Sequence, residues 1–156
     1  MVLRHEPRLR AFLGRLAGSA VGDELAQEVF LKAWLRASDY RGQGSYAAWL
    51  TGIGWRLFLD AARRARRRSA LWGHDSVAGE TIATTDATEA LIDVAKLLRT
   101  LPHEQRAALV LCDGHGWSHS EVAAILGMPL GSIKSLVLRG KQRLRAILAE
   151  AGDDGR

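Results

Sequence analysis

With a single cysteine, Cys112, the chain cannot close an internal disulfide, and a reducing compartment is expected. No uninterrupted apolar stretch approaches the length of a membrane span. Charges break every apolar stretch of the opening MVLRHEPRLRAFL, so the layout of a secretory signal is missing too. These absences point to a cytoplasmic protein with no membrane insertion of its own. No segment alternates polar and apolar residues with period two, which argues against strands. Catalytic signatures are lacking: there is no Walker loop, no G-x-S-x-G, no H-E-x-x-H and no convincing carboxylate pair. Neither enzymatic chemistry nor a cofactor is expected.

What is present is charge, unevenly placed. The 156 residues carry a formal net charge of +5. Residues 1–70 hold 13 Lys+Arg against 6 Asp+Glu, residues 71–90 hold 4 acids and no base, and residues 91–156 hold 9 bases against 7 acids. Two basic blocks thus flank an acidic connector. The pattern fits polyanion binding at two places, or simple solubility charge.

Helical periodicity fills residues 1–68. Leu9, Phe12, Leu13 and Leu16 fall at helical spacing. So do Ala26, Val29, Phe30, Ala33, Trp34 and Ala37, with Asp23 as the N-cap before them. The glycines of YRGQGS, residues 40–45, mark a loop. A third helix is expected from Ala47 to Arg68, with Trp49, Ile53 and Leu57 on one face. Residues 69–90, rich in Ser, Thr, Gly, Asp and Glu, read as a flexible linker with a short helical turn near Leu71 and Trp72. Beyond it, Leu91, Val94, Ala95 and Leu98 form a stripe, and Pro102 opens a helix that runs to Cys112, before Gly114. GDDGR, residues 152–156, reads as frayed. The expected fold is all-α, with two small helical domains, 1–68 and 91–150, joined by the linker 69–90.

The densest signal lies between Trp117 and Arg145, WSHSEVAAILGMPLGSIKSLVLRGKQRLR. Ser118 and Glu121 make a capping box, Val122, Ala123 and Leu126 an apolar face, and Gly127 with Met128 and Pro129 a stop and turn. From Leu130 the period resumes, with Ile133, Val137 and Leu144 facing the core. No acid stands between Val122 and Ala149, but Lys134, Arg139, Lys141, Arg143 and Arg145 do. A helix-turn-helix with such a second helix suits a DNA major groove. Ser132, Lys134, Ser135, Leu138, Arg139 and Lys141 are expected to face the duplex. Cations placed to suit the helix dipole are the blander account of the same charges.

Arg63 to Arg68, RRARRR, closes the third helix with five arginines in six residues, which suits phosphate contact. Trp34 and Trp49 lie on apolar stripes and read as core. Trp55 falls off the Trp49–Ile53–Leu57 face and reads, with Tyr46, as a platform for an unstacked base. Asp23, Glu24, Gln27, Glu28 and Lys32 form a polar face, either solvated or turned toward a protein partner. Cys112, His115 and His119 fall short of a zinc pattern, so no metal site is assigned and Cys112 reads as a buried structural residue.

These motifs, in this order, resemble the extracytoplasmic-function sigma factors, the small two-domain members of the sigma-70 family. DELAQEVFLKAW (Asp23–Trp34) resembles their clamp-binding helix, YRGQGSYAAWLTGIGWRLFLDAARR (Tyr40–Arg64) the promoter-melting helix, and Leu101–Arg145 the fourth conserved region. The resemblance covers nearly the whole chain apart from the linker. It implies that Asp23, Glu24, Gln27 and Glu28, with Lys32 on the same face, dock on the clamp helices of the largest subunit of core RNA polymerase. It implies that the loop Arg41–Tyr46 with Trp49, Trp55 and Arg56 captures the unwound minus-ten element of promoter DNA. Arg63 and Arg64 would lie on phosphates beside it, and Lys134, Ser135, Leu138 and Arg139 would read the minus-thirty-five element. An anti-sigma factor is the further partner implied.

The chain departs from the family pattern at three places. Arg56 stands where the family usually has Asn, Gly54 where it has a small Ala, and Leu136 where an arginine follows Lys-Ser. A lost contact of that last kind typically costs about 1–3 kcal/mol. With Leu138, it makes the expected DNA face unusually apolar, and the Leu136/Leu138 patch becomes a candidate contact for an anti-sigma factor. The reading is a sigma factor that directs promoter-specific initiation. A sigma-factor mimic that sequesters an anti-sigma factor, or a stand-alone helix-turn-helix regulator, are the alternatives.

Overall fold

The computed structural model describes residues 2–72 and 94–153, and every regular element among them is helical. Helix α1 spans Val2–Ala17, α2 Ser19–Leu35 and α3 Tyr46–Trp72, with a 3-10 turn at Ala37–Asp39 between the last two. Residues 94–99 form α4. Helix α5, His103–Leu109, runs into a π-helical turn at Val110–Gly114, and α6 (His119–Leu126) and α7 (Leu130–Asp153) follow.

Helices α1 and α2 form a hairpin around the expected stripe: Leu9, Phe12, Leu13 and Leu16 are all buried, against Leu25, Ala26, Val29 and Ala33. Each buried Leu, Val or Phe among them contributes about 1.5–3 kcal/mol of burial. The two backbones approach so closely at Gly22 that a Cβ there would stand 2.6 Å from the Gly14 nitrogen. One residue, Gly18 at φ 90°, makes the turn. Helix α2 therefore begins at Ser19, and Asp23 lies within it rather than capping it. Asp23 pairs instead with Arg10 of α1 at 3.1 Å. Trp34 also departs from expectation, at 81% exposed. Ala33 completes the buried stripe, and the next residue is turned about 100° away from it.

Helix α3 lies across this hairpin through Leu50, Ile53 and Leu57. Gly54 explains one departure from the family pattern, since a methyl there would already stand 3.3 Å from Leu9 and Leu13. The helix runs past Arg68 to Trp72, so Leu71 and Trp72 continue it rather than forming a separate turn. The rest of the expected linker, 73–90, lies outside the described residues, as do Leu91 and the terminal residues 154–156. Gly152 and Asp153 are helical, the end of α7.

The remaining helices wrap Leu98, Leu101, Ala107, Leu111, Val122, Ile125, Ile133 and Val137. Pro102 is the N-cap of α5. The expected helix to Cys112 changes pitch at Val110, and the π turn brings the His115 N–H onto the Val110 carbonyl at 3.0 Å. Cys112 is only half-buried, not sealed in the core, and burial with Asp113 beside it pushes its thiol pKa up.

The two halves share one apolar core. Helix α3 packs on α6, and α1 on α5 and the π turn. Arg8 of α1 donates to the His115 carbonyl at 2.6 Å and lies 5.7 Å over the Trp117 ring.

Candidate nucleic-acid interface

Ser118 and Glu121 close the capping box in both directions: the Glu121 N–H donates to Ser118 Oγ at 3.1 Å, and the Ser118 N–H to Glu121 Oε2 at 2.8 Å. Gly127 ends α6 in the left-handed conformation, φ 67°. The axes of α6 and α7 then differ by 104°, within the range of DNA-binding helix pairs. The capped turn fixes how α7 projects from the domain.

One side of α7 is core, with Ile133, Leu136, Val137 and Gly140 buried. The other presents Lys134, Leu138 and Arg139 to solvent, with Ser132 and Ser135 half-exposed at its margins. Lys141 lies there too, tied to Asp113 of the π turn at 3.0 Å. Five of the six expected DNA-facing residues are thus free on one surface, and Lys141 shares its charge. Leu136 is the correction. At 8% exposure it belongs to the core, so it opens no gap in the expected DNA-facing surface, and of the two leucines only Leu138, at 56%, makes that surface apolar. The Leu136/Leu138 patch does not exist as a surface. The feature that favoured a mimic disappears with it.

The first half offers a second cationic surface. Arg41, Arg56, Arg63 and Arg64 are exposed. Tyr46 sits in an aromatic cluster, its ring 5.3 Å from Tyr40, 5.5 Å from Trp49 and 5.7 Å from His5. Trp55 is the second correction: it is 3% exposed, stacked on Phe58 at 5.8 Å, and no platform in this arrangement. The cause is the packing of the halves. On the same face of α3, Gly52 abuts the Ile125 carbonyl of α6 and Phe58 meets His103 of α5 edge-on at 4.9 Å. Trp55 lies between these contacts. The compact arrangement therefore leaves the α7 face open while it covers this face of α3.

On α2, Asp23, Glu24 and Gln27 are exposed, and Glu28 pairs with Lys32 at 3.6 Å. The sequence reading missed what continues this stripe: Leu31, Trp34 and Leu35 are 60%, 81% and 72% exposed. Their spacing from Glu24, Gln27 and Glu28 was the available signal. An acidic stripe thus runs into an exposed apolar end, a composition that suits contact with a protein partner.

Sigma-70 region 2 matches residues 1–68, and Sigma-70 region 4 matches residues 91–144. ECF RNA polymerase sigma factor EcfG of Rhodopseudomonas palustris is 33% identical over 94% of this chain and 82% of its own length. The chain belongs to the extracytoplasmic-function sigma factors. Sigma factor SigE of Mycolicibacterium smegmatis is 34% identical over 96% of this chain, which spans 61% of that relative's length. Among solved structures, the sigma factor RpoE of Bartonella quintana, in complex with the anti-sigma factor NepR, superposes with a TM-score of 0.79 at 31% identity. The match covers 95% of this chain and 94% of that one. CnrH, in complex with the cytosolic domain of CnrY, gives 0.74 at 25% identity over 96% of this sigma factor and 85% of CnrH. Among the described residues no single helix is long and apolar enough to cross a membrane.

Proposed function

We propose that this sigma factor directs core RNA polymerase to promoters, acting by position and without catalytic chemistry of its own, in the cytoplasm where the polymerase works. The reading is carried by the α7 face, where Lys134, Leu138 and Arg139 project from a capped helix-turn-helix with no acid among them. In this reading residues 91–150 fix register on the minus-thirty-five duplex. Residues 1–68 grip the polymerase clamp through Asp23, Glu24, Gln27, Glu28 and Lys32. Arg41, Tyr46 and Arg56 hold one strand of the melted minus-ten element, with Arg63 and Arg64 on its phosphates.

Trp55 joins that site only once α3 and α6 separate. The compact arrangement is accordingly the idle form. Its support is the likeness, across both halves, to a sigma factor solved with its anti-sigma factor. An anti-sigma factor would act by holding the halves so.

Run-off transcription tests the function directly. Sigma-free core polymerase is given fragmented host genomic DNA, with and without the protein, and RNA 5′ ends are sequenced. New starts that share upstream motifs are expected. No new starts, beside an active control sigma factor, would end the claim.

A further inference from the structure

Where the two halves meet, a cleft of about 570 Å³ opens between α3, α4, α5 and α7. Five arginines line it: Arg63 and Arg66 from α3, Arg99 from α4, Arg106 from α5 and Arg143 from α7. Among the described residues that line it, Glu104 is the one carboxylate. The arginines differ in how they are held. Arg106, 6% exposed, forms the floor and spends its fork on backbone carbonyls. Arg63 has only a loose pair with Asp60, 3.7 Å, in an exposed setting. Arg66 and Arg143 reach in from opposite halves, and both are exposed. His103 lies half-buried on the same wall, its pKa lowered by burial and then by Arg106 and Arg66, which marks the potential there as positive.

Packing the halves together thus gathers like charges from both into one concavity, offset among the described residues by Glu104 in the lining and by Asp60 beside Arg63. The repulsion is a cost of the compact state that a bound anion would remove. Guanidinium forks match phosphate oxygens in geometry as well as charge. The volume suits a small molecule.

We propose that this cleft binds a small polyphosphorylated anion, and that its occupation holds the two halves of the sigma factor together. Each half supplies part of the arginine set, so the complete site exists only in the compact state. A ligand that binds one state alone stabilises that state by mass action. The cleft would couple a soluble polyphosphate to the idle form.

The full-length chain is titrated calorimetrically with inorganic tripolyphosphate at fixed ionic strength. Saturable one-to-one binding is expected, weakened about tenfold by Arg66→Ala and by Arg143→Ala through loss of a charge-assisted contact. Arg36→Ala, exposed at the C-cap of α2 and not among the cleft's lining residues, keeps the parent affinity. Tripolyphosphate raises the urea midpoint of the parent, and by less that of Arg66→Ala at the same concentration. It also raises the His103 pKa, read by NMR. A nucleoside triphosphate arm identifies the source: tighter binding than tripolyphosphate assigns a nucleotide, and equal binding assigns the phosphate chain alone. Absence of saturable binding, or equal affinity in all three variants, overturns the proposal. It is also overturned if a single-stranded oligonucleotide, but not tripolyphosphate, loses affinity in Arg66→Ala and Arg143→Ala, which would make the cleft a nucleic-acid contact.

Discussion

The Arg106 guanidinium donates to the Leu16 carbonyl, joining α5 of the second half to the end of α1 in the first. The same side chain donates to Leu98 at 2.8 Å, Leu101 at 3.0 Å and Arg99 at 3.2 Å. Carbonyls at helix ends lack intrahelical partners and carry partial negative charge. One buried cation therefore closes the C-terminal ends of α1 and α4 together.

Arg106→Met should cost roughly 3 kcal/mol, because several buried carbonyls lose a charged donor at once. Arg106→Lys should recover little of it, since an ammonium cannot span both helix ends with a planar fork. Urea unfolding followed by circular dichroism measures both. A parent-like midpoint for Arg106→Met would remove the clamp from the energetics of the fold.

The α1–α2 hairpin makes a sharper contrast. Gly22→Ala puts its Cβ within 2.8 Å of three backbone atoms of Leu13 and Gly14, none of which can swing aside. A loss of about 3 kcal/mol is expected, at the upper end for overpacking. Gly14→Ala meets only the Ser19 Cα at 4.0 Å and should be neutral or stabilising by up to about 1 kcal/mol through helix propensity. Equal thermal midpoints for the two variants would contradict this account.

Much of this fold is legible in the chain, because its signals are local. The Ser118–Glu121 box, Gly127 and the α1 stripe are set by neighbours three or four residues away. The errors share a different origin. Trp55 looked exposed because it falls off the α1-facing side of α3, yet the side it lies on, with Gly52, packs on α6, far along the chain. Leu136 looked like a missing DNA contact because it was aligned to a motif instead of being placed on the buried Ile133–Leu136–Val137–Gly140 stripe. Trp34 looked buried because it follows Phe30 by four residues on the apolar stripe, yet Phe30 is itself only half-buried, and the stripe's buried centre is Ala26, Val29 and Ala33. Periodicity finds one apolar face per helix, and a second face made by a distant partner leaves no short-range trace.

Leu136→Arg tests the corrected reading. Restoring the arginine of the family pattern should gain no promoter affinity and should cost roughly 3 kcal/mol of stability, since it buries an unpaired charge in the α7 core. Leu138→Arg, on the exposed face, should leave stability within about 0.5 kcal/mol of the parent and steepen the salt dependence of promoter binding. Thermal unfolding together with forked-promoter titrations separates them. Tighter binding by Leu136→Arg would place residue 136 on the DNA after all.

Acid should loosen the molecule through two histidines at the junction of its halves. His115 sits edge-on to Phe12 at 6.4 Å, its pKa lowered by burial, Arg8 and Arg15. His103 is lowered by burial, Arg106 and Arg66, against a small opposing pull from Glu104. Both folded values lie below the 6.5 of the unfolded chain. The unfolded state therefore takes up protons first as pH falls. The stability is complete above the unfolded value and is lost as pH drops toward the folded ones. The urea midpoint should fall between about pH 7 and pH 5.5, and His115→Gln should flatten that slope. A midpoint that is level or rises over this window would refute it.

Trp34 is the residue whose removal best separates docking from folding. It is 81% exposed at the end of the α2 stripe, beside Leu31 and Leu35. A core tryptophan cut to alanine costs about 3–5 kcal/mol of stability, whereas an exposed one costs about 0.5 kcal/mol or less. At a protein interface the same residue is a favoured anchor, worth about 2 kcal/mol or more of binding. Trp34→Ala should accordingly keep the parent's unfolding midpoint while its affinity for core RNA polymerase falls roughly 30-fold. Lys32→Ala, which removes only the exposed pair with Glu28, should change that affinity by less than about fivefold. Competition against a labelled sigma factor for core polymerase reads both. Parent-like binding by Trp34→Ala would move the polymerase contact off this end of α2, and a large drop in midpoint would return Trp34 to the core.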